Sequence, residues 1–229
     1  MAIRLKLNDP EVGGSLPGGL ATDVVVFDCD GVLLETIQAK LQAYMDWMPQ
    51  EHESLKETFA AHNRKSFGQS RGIQIRYLFE QLAGEGEVSD AFLDSEVERF
   101  SAICEPLCEA APWAEGAQEF VDACKRAGSR TVVLSGTPQE ELEGMLRQRE
   151  AMGLFDWVMG FPITKEEGLQ MVLEKYGVPA NRILFIGDAQ RDAEAAQAIG
   201  AHFVYRPSEA DRPVCPIVNE AVDLRSLLH

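Results

Sequence analysis

The chain has 229 residues, with 21 lysines and arginines against 37 aspartates and glutamates, a formal net charge of −16. That acidic excess excludes a general nucleic-acid binder, which needs clustered cations for phosphate, and it disfavours an anionic membrane surface. Hydrophobic residues at 45% and charged residues at 25% fit a globular chain holding one large domain, or a core with a smaller domain attached.

In chain order, residues 1–10 mix charged and small apolar side chains and lack the continuous apolar segment of a secretory signal. No apolar run approaches the roughly 20 residues that span a bilayer. Gly13-Gly14-Ser15-Leu16-Pro17-Gly18-Gly19 is flexible punctuation, so residues 1–20 are expected to be a flexible N-terminal segment with the fold starting after it. The β-branched run Asp23-Val24-Val25-Val26-Phe27-Asp28 then reads as a strand covered on both faces.

A long stretch without strand patterning follows. Three apolar stripes, Ile37/Leu41/Tyr44/Met45/Met48, Ile75/Leu78/Phe79/Leu82 and Leu93/Val97/Phe100/Cys104, predict helices that pack on one another. Residues 35–111 are therefore expected to be a helical domain inserted into an α/β core made of residues 21–34 and 112–229, with the two crossing points close together. Further strand runs occur at residues 130–135, 157–159, 182–188 and 202–205. Between them, Pro138 suits a helix first turn, and Leu169, Val172, Leu173 and Tyr176 at helical spacing are closed by Gly177. Strand–helix alternation of this kind predicts a doubly wound, Rossmann-like parallel sheet. The five cysteines are odd in number, scattered and form no CxxC pair, the pattern of a reduced, cytoplasmic compartment. Cys104 and Cys108 share a helix face and read as packing.

In open α/β sheets the site lies beyond the carboxyl ends of the strands. There the first strand ends in Asp28-Cys29-Asp30-Gly31, the second in Ser135-Gly136-Thr137, and the run at 182–187 in Asp188, with Asp192 one helical turn on. Any one of these aspartates alone would read as a helix cap. Together at adjacent strand ends they would repel unless some became neutral or a cation sat between them. Oxygen-only ligands select a hard ion, Mg²⁺ where phosphate takes part.

These segments resemble the four motifs of the haloacid dehalogenase superfamily. Asp28-Cys29-Asp30-Gly31-Val32 is similar to its DxDG(T/V) motif, Ser135-Gly136-Thr137 to its strand-terminal Ser or Thr, Lys165 to its lone Lys, and Gly187-Asp188-Ala189-Gln190-Arg191-Asp192 to its GDxxxD motif. The resemblance runs from about residue 22 to the C-terminus, and the helical insertion matches the family's C1-type cap in position. It implies that Asp28 is a nucleophile forming an aspartyl-phosphate and Asp30 a general acid and base, a role calling for a raised pKa that neighbouring carboxylates would supply. It further implies Mg²⁺ held by Asp28, the Asp30 carbonyl and Asp188, with Asp192 as a further ligand or a support. Ser135, the Gly136 amide and Lys165 would bind the transferring oxygens. Cys29, between the two aspartates, is read as packing. Two departures are Glu166-Glu167 after Lys165, where the family often has Pro, and Glu35 in place of a hinge Asp.

The cap's contact loop is expected at Ser66-Phe67-Gly68-Gln69-Ser70-Arg71, with Arg64, Lys65, Arg71 and Arg76 nearby and Arg71 reaching substrate. That segment also resembles caps of sugar phosphomutases, where an Arg grips a second phosphate. The resemblance thus implies a Mg²⁺-dependent phosphatase acting on a small phosphorylated metabolite, as monomer or homodimer. A phosphomutase of the β-phosphoglucomutase type is the alternative, followed by a non-catalytic binding module on the same fold. Dehalogenase and phosphonate-hydrolase chemistry are disfavoured because neither needs an acid at Asp30.

Overall fold

In the computed structural model, which describes residues 3–7, 20–67, 69–217 and 219–228, β1 (Ile3–Leu5) pairs antiparallel with β2 (Leu20–Thr22). The expectation of a flexible segment over residues 1–20 is thereby corrected at its start. Ile3, Leu5 and Leu7 are buried, Ile3 N–H donates to Ser129 Oγ at 2.9 Å, and Lys6 N–H donates to the Leu227 carbonyl at 2.9 Å. A three-residue strand beside charged neighbours is too short for its alternation to stand out, and its partner follows a glycine-rich gap. Gly13 to Gly19, on which the reading rested, lie outside the described residues.

β3 (Val24–Phe27) follows, and its end leads into the motif loop. The chain then leaves the sheet layer at Glu35 and returns at Pro112, where Glu35 N–H donates to the Pro112 carbonyl at 3.0 Å and Leu34 bridges Trp113. Between these points lie α1 (Ile37–Trp47), α2 (Lys56–Lys65), α3 (Arg71–Arg76), which runs on into a π-helical stretch at Tyr77–Leu82, and α4 (Asp90–Glu109). Tyr44, Trp47, Phe59, Phe79 and Phe100 pack together, Tyr44 stacked on Phe100 with ring centroids 4.2 Å apart and the other contacts tilted or edge-on. Each such buried ring contributes roughly 1.5–3 kcal/mol, and the cluster is continuous with the apolar residues of the sheet around Val25 and Phe27. Cys104 and Cys108 join it, with sulfurs 3.6 Å apart.

The chain then alternates through α5 (Ala117–Arg126), β4 (Arg130–Pro138), α6 (Gln139–Gln148), β5 (Trp157–Phe161), α7 (Lys165–Tyr176), β6 (Ile183–Gly187), α8 (Gln190–Ile199) and β7 (His202–Tyr205). The five long strands form one parallel sheet in the order β5-β4-β3-β6-β7. The period-two rule sorts their side chains. Val25, Phe27, Val133 and Ile186 pack with Phe120, Leu142 and Met145 on the α5/α6 side, while Val26, Leu134 and Phe185 pack with Leu169, Val172 and Ala195 on the α7/α8 side. The fold is thus a Rossmann-like α/β sheet with a helical cap inserted after its central strand.

Candidate active site

β3 is the central strand; Phe27 at its end is level with Val133 and Ile186, so Asp28 and Asp30 beyond β3, Ser135 to Thr137 on the irregular last stretch of β4 and Asp188 just after β6 meet at one sheet edge. The crevice there is lined on the core side by Asp28, Asp30, Gly136, Thr137 and Asp188, and on the cap side by residues that include Lys40, Asn63, Arg71 and Phe100. Gly31 makes the motif turn possible: its φ is 71°, and a Cβ there would run into the Asp188 carboxylate. Gly187 serves the same end on β6, where a Cβ would collide with Asp192.

Asp28, Asp188 and Asp192 are buried, with carboxylate oxygens within 4.8 Å of one another. Lys165, also buried, reaches Asp28 Oδ1 and Asp192 Oδ1 at 2.9 Å each and donates to the Leu134 carbonyl at 2.8 Å. It stands at the first position of α7, where Thr164 and Glu167 close a capping box. Glu167, the second of the two glutamates after Lys165, thus holds the turn that aims Lys165. Asp192 spends its other oxygen on the backbone N–H groups of Asp188 (3.2 Å) and Ala189 (3.1 Å). Ser208 Oγ donates to Asp188 Oδ2 at 2.6 Å.

One ammonium among three carboxylates leaves negative charge unanswered. Burial raises the Asp28 pKa to about 7, Lys165 opposing and Asp192 and Asp30 adding to the rise. Burial, then Asp28 and Asp192, push Asp188 well above the carboxylate range. A cluster of all-oxygen donors that repel one another in a buried crevice fits a hard divalent cation.

Asp30 has the opposite surroundings. Thr36 Oγ1 donates to its Oδ1 at 2.5 Å, while Lys40 Nζ at 2.5 Å and Thr137 Oγ1 at 2.8 Å converge on Oδ2. Burial pushes its pKa up, but Lys40 and these hydroxyls more than reverse the push and leave it at about 2. The expectation that neighbouring carboxylates raise the Asp30 pKa is therefore corrected: the nearest charge is a cap lysine. A signal for it existed. Ile37, Lys40, Leu41 and Tyr44 fall at i, i+3, i+4 and i+7, so Lys40 occupies a slot on the buried face of α1 and needs a carboxylate there.

Of the anticipated phosphate contacts, Gly136 lines the crevice. Ser135 is turned inward, its Oγ accepting from Thr137 N–H at 3.1 Å and lying 3.4 Å from Asp30 Oδ2. Arg71 lines the crevice, but its guanidinium bonds Glu141 of α6 at 2.5 Å and Ser101 of α4 at 2.7 Å. Arg64 and Lys65 are exposed on the end of α2, and Arg76 pairs with Glu80 and Asp90. Only Arg71 of that basic group meets the crevice, and Gly68 lies outside the described residues. Cys29 is buried in the core. Sequence reading missed Arg206, which donates to the Gly31 carbonyl and to Glu35 Oε1 at 2.5 Å each and so ties the end of β7 to the hinge.

The chain matches the model of the haloacid dehalogenase-like hydrolases over residues 22–200. It is 25% identical to the phosphoglycolate phosphatase of Pseudomonas putida, over 93% of this chain and 80% of that one. The phosphoglycolate phosphatase of Synechococcus elongatus is 23% identical, over 77% of this chain and 79% of its own. Among solved structures, CbbY of Rhodobacter sphaeroides in complex with xylulose 1,5-bisphosphate superimposes with a TM-score of 0.66 at 19% identity, covering 89% of this chain and 95% of that one. A subfamily IA hydrolase of Geobacter sulfurreducens gives 0.60 at 22% identity, covering 89% and 93%. No described helix is long and apolar enough to cross a membrane.

Proposed function

The chain belongs to the haloacid dehalogenase-like hydrolases, and on that premise we propose that it is a divalent-metal-dependent phosphatase of small phosphate monoesters. The observation that carries this reading is the strand-end pair Asp28 and Asp30, two residues apart with opposite electrostatic surroundings, facing one crevice under a cap. Such a pair can divide a displacement at phosphorus into two steps.

Asp28 is the nucleophile: its oxygen forms a bond to phosphorus as the ester P–O bond breaks, giving an aspartyl-phosphate. Asp30 gives the departing oxygen its proton and, once ionised, takes one from the water that splits the intermediate. While Lys40 is paired with it, Asp30 is an acceptor. An incoming phosphate attracts Lys40 and so loosens that pair, letting Asp30 carry the proton. Asp28 and Asp188, with the Asp30 carbonyl, would hold Mg²⁺, which offsets the charge between a carboxylate and a phosphate and polarises the transferred group. Asp192, with both oxygens engaged, holds Lys165 and the motif loop in position. The Gly136 amide receives a transferred oxygen, and Lys165, held by Asp28, Asp192 and the Leu134 carbonyl, sets its positive charge beside the nucleophile, with Ser135 positioning Thr137.

The crevice encloses only about 50 Å³, little more than one or two waters. Substrate admission therefore requires the Arg71–Glu141 and Lys40–Asp30 contacts to part as the cap opens. The named relatives are phosphatases, which favours water over a sugar hydroxyl as acceptor and so disfavours the phosphomutase reading. The test is phosphate release from an aryl phosphate and a panel of phosphorylated metabolites that includes 2-phosphoglycolate, with Mg²⁺ and with chelator, for wild type and Asp28→Asn. Turnover is expected only in wild type with Mg²⁺. Activity that survives the substitution or the chelator overturns the mechanism.

A further inference from the structure

Three amide residues line the cap wall of the crevice close together in sequence, Asn63 on α2, the half-buried Gln69 in the loop that follows and Gln74 on α3. Gln74 is fully engaged within the cap. Its Nε2 donates to the Ser66 carbonyl and Ser66 Oγ at 2.9 Å each, and its Oε1 lies 3.1 Å from that hydroxyl. Asn63 differs. It is 1% exposed, and neither its Oδ1 nor its Nδ2 has a hydrogen-bond partner among the described residues. Of the buried side chains left with a polar atom so unmatched, Asn63 alone lines the crevice that holds Asp28. Because both ends of the amide are unmatched, exchanging its oxygen and nitrogen changes nothing. The backbone beneath it is pinned, Ser66 N–H donating to the Asn63 carbonyl at 3.1 Å, so the side chain is held in place.

A buried amide with neither end bonded is costly to keep, and in a binding wall the partner is a ligand group. What would satisfy it follows from its inventory, one acceptor and two donors. A carboxylate, such as that of phosphoglycolate, accepts only, so it would match Nδ2 and leave Oδ1 bare. An alkyl or aryl group would match neither. A hydroxyl donates to Oδ1, and the same or a neighbouring hydroxyl accepts from Nδ2. The transferred phosphoryl group belongs with the core-side residues Asp28, Gly136 and Thr137, so the cap-side Asn63 faces the leaving group.

Resting on the phosphatase reading above, we propose that Asn63 is a specificity-determining residue that binds hydroxyl groups on the leaving group, and that the substrate is a small polyol or sugar phosphate rather than a phosphorylated carboxylic acid. The partner is recognised by hydroxyl donors and acceptors, with Tyr44 and Phe100 lining the same cap wall as apolar surface.

The experiment compares kcat/KM for matched pairs with Mg²⁺: glycerol 3-phosphate against propyl phosphate, and erythritol and ribitol phosphates against alkyl phosphates of equal length, with 2-phosphoglycolate alongside. Wild type is expected to favour the hydroxylated member by about tenfold or more, as a site built to bond a hydroxyl rejects the analogue lacking it. In Asn63→Leu and Asn63→Ala the ratio is expected to fall towards one. The thermal midpoint of Asn63→Leu is expected at or above that of wild type, since an unmatched buried amide has been removed, which keeps misfolding from imitating the result. A wild-type ratio near one, a ratio retained in both variants, or 2-phosphoglycolate as the best substrate overturns the proposal. If wild type with Mg²⁺ turns over no member of the panel, the phosphatase reading itself fails and this inference with it.

Discussion

The two walls of the crevice answer charge in opposite ways. On the core wall Asp28, Asp188 and Asp192 share a single ammonium, Lys165, and two of the three have pKa values pushed up. Across from it, each cap cation meets one core carboxylate: Lys40 bonds Asp30, and Arg71 bonds Glu141. The difference separates two jobs. A wall short of positive charge is a place for a metal ion and chemistry, and a wall of matched pairs is a clasp that closes one layer on the other. Asp28 and Asp30 are two residues apart and fall on different sides of that division.

The comparison breaks or sharpens first at Asp28. Asp28→Asn should lower turnover by on the order of 10⁴-fold or more, the scale of losing an enzyme nucleophile, as read by phosphate release. The same change should leave the clasp intact, with the protein folded by circular dichroism. Next in size is the clasp itself. Glu141→Ala leaves the buried Arg71 guanidinium without its carboxylate and should cost about 3 kcal/mol in urea unfolding. The core wall should respond with the opposite sign. In metal-free protein Asp188→Asn removes one member of a repelling cluster and should stabilise by roughly 1–2 kcal/mol. Adding Mg²⁺ should then raise the urea midpoint of wild type more than that of the variant. Destabilisation by Asp188→Asn would show that the wall is not short of positive charge.

A pH series reads the same contrast. Asp28 and Asp188 hold their protons more tightly folded than unfolded. The Asp28 contribution is therefore full below about pH 4 and is lost as pH rises towards about 7, and Asp188 adds a loss of the same sign with rising pH, so metal-free stability should slope downward as pH rises above about 4. Asp30, with its pKa lowered to about 2, runs the other way. Its contribution is present above about pH 4 and is lost as pH falls towards 2. Mg²⁺ should flatten the first slope and leave the second, as measured by thermal midpoints from pH 2.5 to 8. The smallest effect expected is away from both walls. Arg182 forks onto Asp23 with two bonds of 2.7 Å at the start of β3, where both side chains are about one-third exposed. Asp23→Ala should cost less than about 1 kcal/mol.

The core strands were legible because a parallel strand covered on both faces is a bare apolar run, and Val24 to Phe27 and Ile183 to Ile186 are such runs. The aspartates were legible because polar residues that close those runs must lie at one sheet edge. β1 escaped because three residues carry little periodicity, and its burial comes from Leu227 and Ser129, far along the chain. Arg71 was legible as a crevice residue. Its bond to Glu141 was not, since Glu141 belongs to a core helix 70 residues away.

The sequence by itself determined the sheet, the inserted helices and the four motifs, because periodicity and strand-end position are local properties that tertiary context reinforces. The tertiary structure alone decided the electrostatics. Lys40, Arg71 and Asn63 come from the cap and act on a crevice floored by the core, so their partners, or the lack of one, depend on how two layers meet. A pKa follows the distance to the nearest charge and the depth of burial. Neither is written in the spacing of residues along the chain, which is why Asp30 was expected to be raised and proved to be lowered.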